Sequence, residues 1–293
     1  EFNCWNRFIQ FFFGQLTSRN SLRDICTCLK AHRNKLFHLG IKQYVNQSTF
    51  SRANERRNYR IFDDFGNYLL QQVRPMYSSE PIPDVNIDNE VFALDSTMIS
   101  LSLKLFSWAP GKYSRGAVKI HTLLDLRGSI SSYILITDGK YYDSNVLDIL
   151  IPISGAIYMM DKAYIDFKSL FQLHESGAFF ISRAEMDYSV IESNFNIDES
   201  TGLRSDAIIE LNGYMSKQLY PDLIRLVEFY DIENDLNLTF VTNYFEVSAL
   251  EVANLYRNRW QIEVFFKWIK QNLNIKTLWR HSENAVNIHI WIA

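Results

Sequence analysis

Val91-Phe92-Ala93-Leu94-Asp95 is a run of four apolar residues that ends on a carboxylate. Such a short run of apolar residues predicts a buried strand. The same pattern returns at residues 156–161, where Asp161 follows an apolar run. One aspartate after a strand is more often a turn former than a functional group. Two of them on core strands of one sheet favour a functional site, because open α/β sheets place their chemistry at the carboxyl ends of strands.

The segments around these runs predict an α/β protein with a mixed sheet. Strands are predicted at 90–94, 117–126, 131–137, 156–160 and 178–182, with helices at 144–150 and 167–175. Three consecutive strands followed by helix-strand-helix-strand is the order of the ribonuclease-H-like fold, with helices on both faces of the sheet. Residues 186–245 alternate short runs with turns and predict an all-β insertion. Ser248-Ala249-Leu250-Glu251 has capping-box spacing and predicts one helix, which begins at Ser248 and runs to about Leu273.

The first 75 residues predict several helical segments. Residues 49–57 form a short, Arg-rich helix after a tight turn, which is typical of a helix-turn-helix that reads DNA. This interpretation puts Arg52, Arg56 and Arg57 near phosphates. From spacing alone, a helical bundle with a solvated basic face fits equally well.

A proline-bearing, polar segment separates the two regions and predicts a linker. The sequence therefore divides into a helical domain at 1–75, a linker at 76–89, a core at 90–185 and 246–293, and the insertion at 186–245.

Composition excludes several protein classes. The 293 residues are 47% hydrophobic and 15% aromatic, which excludes disordered and collagen-like chains. The longest apolar runs fall far short of a membrane span, and no secretory signal is evident. No membrane partner is therefore expected. The cysteines at 4, 26 and 28 fit neither a disulfide framework nor a zinc clamp, so a reducing cytoplasm is expected.

The net charge of −3 hides an uneven distribution. Residues 1–85 hold 12 Lys and Arg against 7 Asp and Glu, and residues 251–281 hold 6 against 2. Residues 86–250 hold 12 against 23. Basic ends around an acidic middle suggest a polyanion contacted at the ends and cations held at the centre, although ordinary mixed surface charge remains an alternative.

The late helix carries a polar ridge. At 100° per residue, Tyr256, Arg259, Glu263 and Lys270 fall inside an arc of about 60° beside the helix's apolar stripe. A glutamate there is expected to be partly desolvated, which favours a compensating cation or metal. The alternative is an ordinary surface pair between Arg259 and Glu263.

These residues together resemble a known family. Asp95 in Leu-Asp-Ser-Thr, Asp161 in Asp-Lys-Ala-Tyr, and Tyr256-x2-Arg259-x3-Glu263-x6-Lys270 resemble the DDE transposases of bacterial insertion sequences, in the group with a Tyr-Arg-Glu-Lys (YREK) signature. Two further phrases agree, Val-Lys-Ile-His at 118–121 and Phe-Ile-Ser-Arg at 180–183. The resemblance covers roughly residues 15–280. Family members extend past the position of Ala293, so the core is expected to be truncated there.

The resemblance implies a fold, a site and a reaction. The fold is a ribonuclease-H-like catalytic core with a β-rich insertion, preceded by a helical DNA-binding domain. Three carboxylates are implied as catalytic residues and as ligands of two Mg²⁺ ions, with Mn²⁺ as a substitute: Asp95, Asp161 and Glu263. The residues implied to hold DNA beside the metals are Tyr256, Arg259 and Lys270, with Lys119 and Arg183 as weaker candidates. Water would free a 3′-OH at the element end, and that hydroxyl would then attack target DNA.

The implied partners are double-stranded DNA, both the terminal inverted repeats and the target, and a second copy of the chain in a synaptic homodimer. The implied location is the bacterial cytoplasm, at the nucleoid when bound to DNA. Ala163 departs from a glycine that many relatives have, and residues 186–245 lack the tryptophan that relatives use for hairpin formation. Two alternatives remain: a non-catalytic or truncated transposase-derived DNA-binding protein, and a metal-dependent nuclease or resolvase on the same fold. Nucleophile-elbow and phosphate-loop motifs are absent from the sequence.

Overall fold

The computed structural model describes residues 2–41, 44–111, 115–194 and 197–293. Its helices are α1 (Cys4–Leu16), α2 (Leu22–Ala31), α3 (Gln47–Arg56), α4 (Arg60–Tyr77), α5 (Phe167–Glu175), α6 (Tyr214–Leu219), α7 (Ala249–Asn258), α8 (Trp260–Asn272) and α9 (Glu283–Ile292). Its strands are β1 (Val91–Leu101), β2 (Gly116–Asp125), β3 (Ile130–Asp138), β4 (Ile157–Met160), β5 (Phe179–Arg183), β6 (Tyr188–Ser193), β7 (Leu203–Leu211), β8 (Ile224–Asp231) and β9 (Leu236–Thr242). None of these helices is both long and apolar enough to cross a lipid bilayer.

The described strands form one mixed sheet in the order β3-β2-β1-β4-β5-β9-β8-β7-β6. Strands β1, β4 and β5 are parallel to one another, and the other pairs are antiparallel. This confirms the predicted α/β class with a mixed sheet. The parallel strands are buried on both faces: Phe92 and Tyr158 pack with α5, whereas Ala93 and Ile157 pack with α7 and α8. Burial on both faces explains why these strands are continuous apolar runs in the sequence.

Strand β1 does not end at Asp95, contrary to the prediction. It continues to Leu101 and pairs with β2 from Phe92 onward, whereas its parallel pairing with β4 stops at Leu94. Beyond Asp95 the strand has only β2 beside it, and burial alternates, with Ile99 buried and Met98 exposed. The change from a continuous to an alternating pattern explains why the apolar run ends where the strand does not.

Residues 186–245 add four strands to the same sheet through β9, which pairs with β5. The segment also contains helix α6, so the prediction of an all-β insertion is wrong in that detail. A buried ion pair joins two of its strands, with Arg225 Nε donating to Asp206 Oδ1 at 2.8 Å. Arg225 also donates to the carbonyl of Val247 at 2.6 Å, which ties β8 to the loop before α7.

The N-terminal helices share their core with the end of the chain. Phe11 of α1 stacks on Trp279 with ring centroids 5.4 Å apart, and Ile288 of α9 is buried in the same cluster. Asn284 extends this contact, because its side chain accepts from the backbone N–H of Tyr59 and donates to the carbonyl of Asn54. The N-terminal helices and α9 therefore form one packed body.

The predicted linker is packed against the sheet and the helices. Helix α4 extends to Tyr77, with Pro75 inside its last turns. Ile82 is buried, and Asn258 of α7 donates to the carbonyl of Pro83 at 2.8 Å. Arg74 of α4 pairs with Asp125 at 3.0 Å. These contacts connect the N-terminal body to the sheet.

His289 of α9 should make stability depend on pH. Burial lowers the pKa of His289 to about 4, although the hydrogen bond to the Asn274 carbonyl opposes the shift. In the unfolded chain a histidine titrates near 6.5, so below that pH the unfolded state binds a proton that the folded state does not. The unfolding free energy should fall by about 2 kcal/mol between pH 7.5 and pH 5 from this group alone.

Urea unfolding at the two pH values measures this dependence. In a His289→Asn variant the dependence should shrink by about 2 kcal/mol. Part of it should remain, because burial also lowers the pKa of His121 to about 4. An equal pH dependence in the variant and the wild type would contradict the prediction.

Candidate active site

Two carboxylates lie side by side at the carboxyl edge of the parallel strands. Leu94 pairs with Met160, so Asp95 and Asp161, the residues that follow, are neighbours on strands about 4.8 Å apart. Asp95 Oδ1 accepts from the N–H of Ser96 at 2.7 Å, and Asp161 Oδ1 accepts from the N–H of Lys162 at 2.8 Å. Both side chains are thus held at the edge where α/β folds place their chemistry.

Arg183 occupies the equivalent position on the next strand. Met160 pairs with Ser182, so Arg183 is next to Asp161 in the sheet. Asp161 therefore lies between Asp95 on one side and Arg183 on the other. Ala163, the departure from the family pattern, lies in the short turn after Asp161 and does not have a positive φ. The backbone there accommodates alanine without strain.

Glu263 is connected to this edge by Arg259. The Arg259 guanidinium donates to Asp95 Oδ2 through Nη1 at 3.1 Å and to Glu263 Oε1 through Nη2 at 2.6 Å. The Arg259 side chain is only 13% exposed, whereas that of Glu263 is 59% exposed. The expected desolvation of Glu263 is therefore wrong, and the buried member of the ridge is the arginine.

A break in the predicted late helix positions Arg259. The residue lies between α7 and α8, and the N–H of Ile262 bonds to its carbonyl at 3.1 Å, one residue short of the α-helical spacing. Before the break, Ser248 caps α7 by accepting from the N–H of Glu251, as the capping pattern predicts. Glu263 lies in the first turn of α8, four residues after Arg259.

Tyr256 lies beneath the arginine. It is buried and packs on Phe240 with ring centroids 4.7 Å apart. Burial raises the pKa of Tyr256 to about 12, and the nearby Arg259 partly offsets the shift. The guanidinium lies 5.5 Å from the Tyr256 ring centroid, within range of a cation–π contact. Tyr256 therefore supports Arg259 from inside the protein.

The environment of Asp95 opposes its charge. Burial raises the pKa of Asp95, and the like charges of Glu263 and Asp161 add to that effect. The Ser96 N–H and Arg259 act in the opposite direction. A cation close to Asp95 therefore stabilises the ionised carboxylate.

A basic groove of about 430 Å³ adjoins these carboxylates. Its lining includes Asp95 and Glu263 and three lysines, Lys267, Lys270 and Lys276. Burial lowers the pKa of Lys270, and the like charge of Lys276 adds to the shift. Lysines that repel one another beside an open groove form a site suited to an anion such as a phosphate.

Lys119 is buried and already paired. Its Nζ contacts Asp143 Oδ2 at 2.9 Å, and Asp143 Oδ1 accepts from Ser96, the neighbour of Asp95, at 2.7 Å. This pairing argues against the predicted phosphate contact for Lys119. His121 is also buried beside Asp143, at 3.5 Å. Sequence reasoning missed Asp143, whose position follows only from the β1–β2 register and the turn after β3.

The arginines of α3 differ in their surroundings. Arg52 and Arg56 are exposed. Arg57 is half-buried, and its guanidinium lies over the Phe2 ring, 5.5 Å from the centroid. Helix α3 begins at Gln47, two residues before the predicted segment, because Asn46 caps it by accepting from the N–H of Thr49. Two of the three arginines that were predicted to contact phosphates are therefore exposed to solvent.

The donor atoms at the sheet edge suit a hard divalent cation. Carboxylate oxygens are the protein ligands that Mg²⁺ and Mn²⁺ prefer. Within the part of the chain that the structure describes, no three potential ligand side chains are close enough to hold a metal. The Arg259 guanidinium lies between Asp95 and Glu263 instead. The carboxylates fit the metal by their chemistry, and in this arrangement Arg259 takes the place of a cation between two of them.

Two family models match separate segments of the chain. A family model described as a transposase DDE domain matches residues 87–293, and a model described as a domain of unknown function (DUF4372) matches residues 1–42. The chain is 28% identical over 252 residues to the putative transposase y4zB of Sinorhizobium fredii. The aligned segment is 84% of this chain and 68% of that protein. It is 28% identical over 203 residues to the probable transposase for insertion sequence element IS5377 of Geobacillus stearothermophilus, 68% of this chain and 53% of that protein.

Among solved structures, the chain is similar to one reported as a piggyBac transposase synaptic complex with hairpin DNA. The TM-score is 0.47 at 9% identity, over 98% of this chain and 64% of the other. The carboxylates at the sheet edge and the residues of α7 and α8 all lie inside the segment that the first family model matches.

Proposed function

The chain belongs to the transposases with a DDE domain, and we propose that it moves an insertion sequence by cutting DNA at the element ends and joining them to target DNA. Membership of the family makes it a DNA-binding enzyme that depends on divalent metal ions. The proposal extends to the reaction order, to the residues responsible and to Mg²⁺ as the metal, with Mn²⁺ as a substitute.

One observation carries the assignment of residues. Asp95 and Asp161 are neighbours at the carboxyl edge of the sheet, and one guanidinium links Asp95 to Glu263, which is more than 160 residues away in sequence. The antiparallel strands β1 to β3, followed by parallel β4 and β5 with helices on both faces, support a ribonuclease-H-like core. We therefore assign Asp95, Asp161 and Glu263 as the catalytic carboxylates and metal ligands.

Each residue then has a physical role. The three carboxylates would hold two divalent cations, which activate the attacking oxygen and stabilise the leaving 3′ oxygen. Lys270 would bind a phosphate in the adjoining groove and hold the DNA end beside the carboxylates. Arg259 would bind DNA after leaving the carboxylates, supported by Tyr256 beneath it. Arg183 would contact the backbone at the edge of the site next to Asp161.

The spacing of Tyr256, Arg259, Glu263 and Lys270 supports placement in the YREK group. An element has two ends, and one site of this kind can act on one end at a time, so a homodimer in the synaptic complex is proposed. The exposed Arg52 and Arg56 of α3 support binding of the terminal repeats by the N-terminal helices. The work would take place on DNA in the bacterial cytoplasm.

Strand transfer is the test that separates this function from its alternatives. The purified protein would be incubated with a duplex that carries the element's own terminal repeat and with a supercoiled plasmid. Cleavage to a 3′-OH and joined products that require Mg²⁺ or Mn²⁺ are expected, and an Asp161→Asn variant should give neither. Cleavage without joining would favour a nuclease, and binding without cleavage would favour a non-catalytic DNA-binding protein.

A further inference from the structure

Arg259 occupies the position between two of the proposed metal ligands. Its two terminal nitrogens bond separately to Asp95 at 3.1 Å and to Glu263 at 2.6 Å. Hydrogen bonds between a guanidinium and carboxylates are charge-assisted and roughly twice as strong as neutral ones. One positive side chain therefore already neutralises carboxylates that a divalent cation would need.

The surroundings distinguish this contact from a structural ion pair. In the insertion, Arg225 and Asp206 are each only 9% exposed, and Arg225 is also held by two backbone carbonyls. The partners of Arg259 are 24% and 59% exposed, and they open into the basic groove. Both ion pairs border a groove, but the carboxylate partners of Arg259 are far more exposed than Asp206, so a ligand from solvent can compete for the Arg259 contact more readily.

A phosphate can replace the carboxylates as partner of the guanidinium. Arginine binds phosphate and carboxylate with the same planar fork of donors. The neighbouring groove is lined by three lysines that attract phosphates, and also by Asp95 and Glu263, the two carboxylates that Arg259 contacts. A phosphate of DNA bound in that groove would compete with Asp95 and Glu263 for the guanidinium of Arg259.

We propose that Arg259 is a gate residue, which binds Asp95 and Glu263 in the free protein and releases them to divalent cations when a DNA phosphate takes their place. The proposal rests on the assignment of Asp95 and Glu263 as metal ligands. It makes DNA binding and metal binding mutually favourable, since each removes a competitor of the other. The enzyme would thus bind divalent cations weakly until DNA is bound.

Metal affinity of the free protein tests the gate without any measurement of cleavage. Mn²⁺ binding would be measured by electron paramagnetic resonance of the unbound ion, with the full chain and with Arg259→Gln. The matched control is Arg257→Gln, which removes an exposed positive charge two residues away. We expect Arg259→Gln to bind Mn²⁺ at least tenfold more tightly than the wild type, and Arg257→Gln to resemble the wild type.

The second arm measures coupling to DNA. A short duplex that the protein binds should tighten Mn²⁺ binding by the wild type and leave that by Arg259→Gln nearly unchanged. Arg259→Lys keeps the positive charge but lacks the planar fork of donors, so its coupling to DNA should be weaker than that of the wild type.

Failure of the gate and failure of the metal site give different results. Equal Mn²⁺ affinities for the wild type, Arg259→Gln and Arg259→Lys, with DNA tightening all three alike, would overturn the gate. The metal site itself would still stand if Asp95→Asn lost Mn²⁺ binding. If Asp95→Asn did not change Mn²⁺ affinity in the wild type or in Arg259→Gln, the assignment of the carboxylates as metal ligands would be wrong, and the gate proposal would be wrong with it.

Discussion

Replacing Glu263 by Gln is expected to reduce DNA cleavage by at least about 10³-fold, equivalent to about 4 kcal/mol of transition-state stabilisation. The substitution keeps the size of the side chain and removes a charge that holds a divalent cation. Glu263 is 59% exposed in the first turn of α8, so the loss should not disturb the core. Binding of DNA ends in Ca²⁺ should persist or improve, because a negative charge near the phosphates is removed.

A strand-nicking assay and a gel shift on the same end substrate would separate the two effects. Glu246→Gln serves as a control, because Glu246 is an exposed glutamate outside the site. Lys270→Ala provides a contrast: loss of a phosphate contact should weaken binding and reduce its salt dependence. Equal losses of binding and nicking in Glu263→Gln and Lys270→Ala would mean that this face of α8 has a single structural role.

The sequence predicted the sheet edge well because its signal is local. Strands that are buried on both faces are continuous apolar runs in the sequence. The parallel pairing of β1 with β4 ends at Leu94 and Met160, and the next residues, Asp95 and Asp161, interrupt the two apolar runs at that point. The same reasoning placed the end of β1 too early. Past Asp95 the strand keeps only its partner β2, and an alternating pattern replaces the run.

The role of Arg259 could not be predicted from helical angles. A continuous helix puts Tyr256, Arg259 and Glu263 on one ridge, with the glutamate beside the apolar stripe. In the structure the helix is interrupted at Arg259; the arginine side chain is 13% exposed and lies against Tyr256, whereas that of Glu263 is 59% exposed. Residues 249–272 contain no proline or glycine that would signal this interruption in the sequence.

The shared core of the two chain ends was also beyond sequence reasoning. Phe11 and Trp279 are more than 260 residues apart, and nothing in either local pattern indicates their contact. This contact changes how the N-terminal helices can be tested. Deleting residues 1–75 would expose Trp279 and Ile288, so the loss of DNA binding in such a variant would not be specific.

Substitution of Arg52 and Arg56 together is therefore expected to show the DNA-binding role of α3 cleanly. Both side chains are exposed, so their removal leaves the helical core intact. If each contacts a phosphate, the slope of log affinity against log salt should fall by about 2, and affinity at moderate salt should fall roughly 10- to 100-fold. Fluorescence anisotropy with the terminal repeat across a salt series measures both quantities.

A Lys168→Ala, Lys217→Ala variant removes two exposed charges from α5 and α6 and should leave the slope unchanged. If that control lost as much as the α3 variant, the effect would come from net charge, and α3 would be a solvated basic face of a helical bundle.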